Sequence, residues 1–218
     1  MKDEELRQVV VQALETVGPF GTTDVPALTE GLTSKDTTVR LFVLTALSKL
    51  GPEAKAAVPQ LVESLKEKDS EYRLQVAEVL ASIGGFQARP AVEILVGALK
   101  NKDEKIRLRG AQALKKLGPE ASSAVRPLIQ ALRDTDTIIQ LAASAALGKM
   151  GKAAVDDLIE ALKDIKSSVR LGAATALGEI GPDAKAAIRE LATLAEDDRN
   201  PEVKKAARAA WGKIQRKQ

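Results

Sequence analysis

The sequence contains no cysteine and no histidine in 218 residues. Without cysteine there is no disulfide framework, and the redox compartment is left open, with the cytoplasm as the default expectation. Without histidine the commonest general base and the commonest transition-metal ligand are both missing. Aromatic residues make up only 2% of the chain, so rings on which nucleic-acid bases stack are scarce. No apolar run approaches the roughly 18 residues of a membrane span, and no signal-peptide pattern opens the chain. A soluble protein with no membrane partner is therefore expected. There is no G-x-S-x-G elbow, no phosphate-binding G-x-x-x-x-G-K-[ST] loop and no nucleophile–base pair. The carboxylate pairs Asp156-Asp157 and Asp197-Asp198 fall at helix ends and read as solvated caps. The expectation is a non-enzyme with no cofactor and no metal.

What is present is alanine, leucine and valine, in a chain that is 44% hydrophobic and 29% charged. That composition supports a core and suits closely packed helices better than sheets. The net charge of +3 belongs to the tail: Lys204–Gln218 holds six basic residues and no acid. Setting those six aside leaves 27 of the 33 Lys and Arg against 30 acids, a mildly negative body.

A single frame recurs without gaps. It reads DEELRQVVVQALETVG from Asp3, DTTVRLFVLTALSKLG from Asp36, DSEYRLQVAEVLASIG from Asp69 and DEKIRLRGAQALKKLG from Asp103. It continues as DTIIQLAASAALGKMG from Asp136, KSSVRLGAATALGEIG from Lys166 and NPEVKKAARAAWGKIQ from Asn200. Asp or Asn opens every copy but the one at Lys166, as an N-cap for the first free N–H groups. Apolar or small residues at positions 4, 8, 11, 12 and 15 form one stripe at helical period. Glycine at position 16 is expected to supply a left-handed C-terminal cap. Tyr72 and Trp211 both fall on the core stripe, where packing is the expected role.

Between the copies lies a second helix, clearest in PEAKAAVPQLVESLKEK from Pro52 and PEASSAVRPLIQALRDT from Pro119. Pro26, Pro59, Pro90 and Pro127 are expected to bend these helices. Calling the intervening helix A and the repeated one B, no single pair can bury both stripes, whereas stacked pairs share a continuous core. The fold class is therefore all-α: a right-handed α-α superhelix of about 13 helices, six A–B pairs after a lone N-terminal B helix. Residues 1–218 form one solenoid in this reading, with B helices near 3–17, 36–50, 69–83, 103–117, 136–150, 166–180 and 200–215. The unpaired first helix, with consecutive Val9, Val10 and Val11, suggests a piece of a longer array or self-association through the N-terminal repeat.

The stretch VRLGAATALGEIG at 169–181, the helix-A prolines and an acid ahead of the Val-Arg pair resemble the HEAT repeat family. The likeness is strongest to its short form, also seen in phycobilisome lyase subunits. The resemblance implies that B helices line the concave face and that an Asp–Arg ladder joins successive repeats. The arginine column here is Arg7, Arg40, Arg73, Arg107 and Arg170, interrupted by Gln140 and Lys204. Six residues before it stand Ser34, Glu67, Asn101, Asp134, Asp164 and Asp198, so the ladder is expected to be incomplete in the early repeats. The architecture hosts scaffolds, transport receptors, lyases and DNA-binding enzymes alike, and so implies no single function.

Positions 3, 7, 10 and 14 of the B helix remain free of the frame and are expected to form one exposed stripe. The candidate partner-binding residues on it are Phe42, Glu71, Gln75, Glu78, Lys105, Arg109, Gln112 and Lys116. The leading reading is a scaffold that binds a protein or peptide along this stripe. The alternatives are nucleic-acid binding through the basic zone at 105–116 and the basic C-terminal helix, a lyase-type enzyme-associated subunit, or an engineered repeat protein. Nucleic acid is disfavoured because the basic zone occupies one repeat and is flanked by acids.

Overall fold

The computed structural model describes residues 20–215. The first copy of the frame, with Arg7 and the valine run, lies outside them, as do Arg216 and Lys217. Among the described residues every regular element is a helix. The chain divides into two compact units between Ile94 and Leu95.

In the first unit α1 spans Val25–Gly31, α2 Thr37–Leu50, α3 Val58–Ser64 and α4 Ser70–Ile83; α5, Ala91–Ala98, ends it and begins the second. The second holds α6 (Glu104–Leu117), α7 (Val125–Ala131), α8 (Thr137–Met150), α9 (Val155–Ala161), α10 (Ser167–Ile180), α11 (Ile188–Asp197) and α12 (Pro201–Gln215). The B helices are α2, α4, α6, α8, α10 and α12. Within the first unit α2 packs on α4; within the second α6, α8, α10 and α12 lie side by side in that order.

The frame dictates where each B helix starts. Asp36, Asp69, Asp103 and Asp136 accept from the backbone N–H two residues on, at 2.6–2.8 Å, and Asn200 does so at 2.9 Å. Lys166, in the same place, makes no side-chain cap. Position 12 then anchors the core: Leu47, Leu80, Leu114, Leu147 and Leu177 are all fully buried. Position 8 faces the helix-A partner so closely that a Cβ on Gly110 would sit 2.9 Å from the Leu95 carbonyl oxygen.

Two expectations need correction. The C-terminal glycines Gly51 and Gly118 have φ of 53° and 56°, but ψ is −128° in both. That is not the left-handed helical region; it is one that only a residue without Cβ enters. The A helices are also not continuous. Each described A segment pairs a 3₁₀ stretch with a short α-helix, and three of the six hold a non-helical residue, Ala54, Ala121 or Ala184. Pro59 and Pro127 sit just beyond the first two breaks, but no proline follows the third, at Arg189. All three alanines are wholly buried, so tight packing sets the break and proline merely tolerates it. The A segment after Gly151 has four 3₁₀ residues where those after Gly51, Gly118 and Gly181 have seven.

Candidate functional site

Charged rungs join successive repeats of the second unit. Arg107 donates from Nε and a terminal nitrogen to both oxygens of Asp134, at 2.7 and 3.0 Å, while its other nitrogen donates to the Asn101 and Lys102 carbonyls. Arg170 repeats the arrangement on Asp198 at 2.6 and 2.9 Å and on the Asp164 and Ile165 carbonyls. One guanidinium thus ties its own loop to that of the next repeat through a bidentate, charge-assisted pair. Hydrogen bonds from the arginines hold the Asp134 and Asp198 carboxyls below the usual carboxylate range. Where the column carries Gln140, the amide keeps only the local bond, donating to the Asp134 carbonyl at 2.7 Å. Arg133, from the preceding helix end, takes Asp164 instead. These arginines are fully engaged, so the column serves the stack.

In the first unit Arg40 donates to the Ser34 carbonyl at 3.0 Å, but its guanidinium lies over the Tyr72 ring, 5.0 Å from the centroid. Its Nε and the buried Tyr72 hydroxyl have no hydrogen-bond partner. Burial pushes the Tyr72 phenol above its ordinary pKa, with Ser64 close enough to oppose the shift. Tyr72 packs as the frame indicated. Trp211, also on the stripe, is 37% exposed, since α12 is the last B helix described and no further repeat covers it within the described residues.

The structure gathers Lys105, Arg109, Gln112 and Lys116 on one face of α6, the first and last two exposed and Arg109 half-buried. Phe42, Glu71, Gln75 and Glu78 belong to the other unit and are all half-buried. Phe42 meets Phe20 edge-on, with centroids 5.8 Å apart, and Gln75 donates to Glu71 at 3.3 Å. The stripe is therefore less open than its spacing suggests. Position 7 turns toward the preceding repeat, as Gly172 shows: a Cβ there would lie 2.5 Å from a Leu132 methyl.

Position 6 opens in its place on α8. Leu41 and Leu74 hold this position at 8% and 4% exposure, whereas Leu141 is 62% exposed. Ile138, one turn earlier, is 60% exposed, and Ile165, in the loop leading to α10, is 91% exposed. Sequence reasoning missed Leu141 because position 6 belongs neither to the core stripe nor to the stripe expected to be exposed. The available signal for Ile165 was its column: the other described residues just before the B-helix cap are Lys35, Lys68, Lys102, Thr135 and Arg199.

Elsewhere in the second unit an open cavity of about 470 Å³ is lined by Leu99, Pro127, Gln130, Arg126 and Arg133, among others. Arg126 and Arg133 are already paired with Asp157 and Asp164. Among the described residues no three carboxylates gather into a set that could hold a metal ion, and no helix is long and apolar enough to cross a membrane.

Similar arrangements occur in solved repeat proteins. No curated protein matches the sequence. Among solved structures, an engineered protein is 29% identical, with a TM-score of 0.57 over 88% of this chain and 96% of that one. A designed armadillo repeat protein in complex with the peptide (KR)4 is 20% identical, with a TM-score of 0.57 over 88% and 99%. An archaeal HEAT-like repeats protein from Thermococcus onnurineus NA1 is 14% identical, with a TM-score of 0.55 over 98% and 97%. The family model for HEAT repeats matches residues 2–81, 58–126 and 125–212. With the capped B helices, the arginine rungs and that match along nearly its whole length, the chain belongs to the HEAT repeat family.

Proposed function

We propose that this protein is a non-enzymatic scaffold that binds a protein or peptide across the face formed by its B helices. One observation carries the reading: the buried positions repeat almost unchanged, while the side chains on the B face differ from helix to helix. Position 3 alone runs Thr38, Glu71, Lys105, Ile138, Ser168 and Glu202 over the described helices. A surface maintained only for solubility has no need of an exposed Ile138 in that series. The designed armadillo protein held a peptide in its structure, which supports the idea that stacked helical repeats can accept a peptide. That ligand is basic, whereas the charged stripe residues of α6 in this protein are basic themselves, so a different partner is indicated.

Hydrogen exchange on the chain with a captured protein partner tests the proposal. Protection is expected on α6, α8 and α10 in preference to the A helices α7, α9 and α11. Protection confined to the A helices would reject the B face. A nucleic-acid ligand would instead give a mobility shift that weakens steeply with salt.

A further inference from the structure

Resting on the B-face reading, we infer that the second unit carries a docking surface for an acidic segment with exposed apolar side chains, centred on Ile138, Leu141 and Ile165. Ile138, Leu141 and Ala145 follow at i, i+3 and i+7, so they share one face of α8. Ile138 and Leu141 are about three-fifths exposed. The α10 helix runs beside α8 in the same sense: the Ser144 hydroxyl donates to the Gly172 carbonyl at 2.8 Å, and the space above Gly148 is filled by Glu179. Ile165 therefore stands at the same edge as the first turn of α8, on a backbone whose carbonyl is held by Arg170 at 3.1 Å.

The chain departs from its own rule at this edge twice in succession. Every other copy of the frame begins with Asp or Asn and, among the described residues, follows Lys, Thr or Arg; here the pair is Ile165-Lys166. The lost cap weakens α10, and an isoleucine 91% exposed gains nothing from folding. Local rules broken at a cost, side by side, mark a site maintained for something other than stability.

Charge selects the occupant. On α6, which lies against α8, the exposed Lys105 stands at the first stripe position, the same place in the frame as Ile138. The edge on the α10 side carries the exposed Lys166, while at the far end Lys149 is offset by Glu179, the acid at the last stripe position of α10. A partner that lays apolar side chains over the first turns of α8 meets Lys105 on one side and Lys166 on the other, so carboxylates flanking its apolar residues are the complementary pattern. A basic ligand such as the (KR)4 peptide would be repelled.

The test is fluorescence anisotropy on the full chain with a labelled synthetic peptide carrying leucines at i, i+3 and i+7 among glutamates. Its controls are the same peptide with lysines for glutamates, poly-glutamate without leucines, and a single-stranded DNA oligonucleotide. Binding of the leucine–glutamate peptide alone is expected, weakened at least about tenfold by Leu141→Glu. That substitution falls on an already exposed side chain and should leave helicity intact. The double change Ile165→Thr, Lys166→Asp restores the frame, and it should weaken binding by a similar factor while raising the melting temperature. Equal binding by Leu141→Glu, equal binding of any control, or no binding at all overturns the inference. Self-association that Leu141→Glu abolishes would assign the face to a second copy and overturn it too. A captured partner that protects only α2 and α4 in hydrogen exchange would leave the B-face scaffold standing while this surface fails.

Discussion

Arg40 in the first unit and Arg170 in the second occupy the same place in the frame and do different work. Arg170 holds both oxygens of Asp198, while Arg40 rests on the face of Tyr72. The difference begins in the loop. The residue six before the next arginine position is Asp198 in one case and Glu67 in the other. Asp198 is tethered close by accepting from the Asn200 N–H at 2.8 Å; Glu67 is a methylene longer and exposed. The aromatic ring at Tyr72, where α10 and α12 have valine, then fills the space beneath the guanidinium. Two units built from one frame thus share a core but not a joint: an ion pair holds one, a cation–π contact the other.

The largest expected effects test the shared part. Leu47→Ala in the first unit and Leu147→Ala in the second should each cost about 3 kcal/mol in urea unfolding, since both leucines are fully buried. Equal losses would confirm that the cores are equivalent, and a large inequality would break the comparison. Next comes the joint. Asp198→Asn should cost about 2 kcal/mol, because it leaves Arg170 half-buried against a neutral amide. Glu67→Gln should change stability by less than about 0.5 kcal/mol.

Acid should separate the units in the same way. The Asp134 and Asp198 carboxyls are held below their ordinary range by Arg107 and Arg170. A depressed folded-state pKa gives stabilisation that is complete above the unfolded value, about 3.9 for aspartate, and is lost as pH falls through the folded value. Hydrogen exchange in α10 and α12 should therefore speed up below about pH 4 more than exchange in α2 and α4, and Asp198→Asn should flatten that dependence. The smallest effect is expected from Tyr72→Phe. It keeps the ring under Arg40 and removes a buried hydroxyl that lacks a partner, so stability should move by less than about 1 kcal/mol.

How much of this was legible in the sequence follows from what repeats. N-caps, core leucines and the arginine column recur, and the structure places them as the spacing indicates. Even the incomplete early ladder could be read from Ser34 and Glu67. Features that depend on a single neighbour could not. Gly172 is closed off by a Leu132 methyl, which no periodicity reveals. Leu141 carries the same letter as buried Leu74, yet its environment differs. The breaks at Ala54, Ala121 and Ala184 arise from packing of small side chains in a shared interior, and the sequence offered only proline as a sign of them. The half-buried state of Phe42 depends on Phe20, well outside its helix.

The rung aspartates have one more consequence, for anyone who would recombine these repeats. Asp134 accepts from Arg107 behind it and from the Asp136 N–H ahead of it, through the same oxygen at 3.0 Å each. A natural place to cut a module is the loop between helices, and here that loop is the fastener itself. A graft that brings in an arginine without the aspartate of the following loop would strand a cation at the seam, so donor and acceptor must travel together.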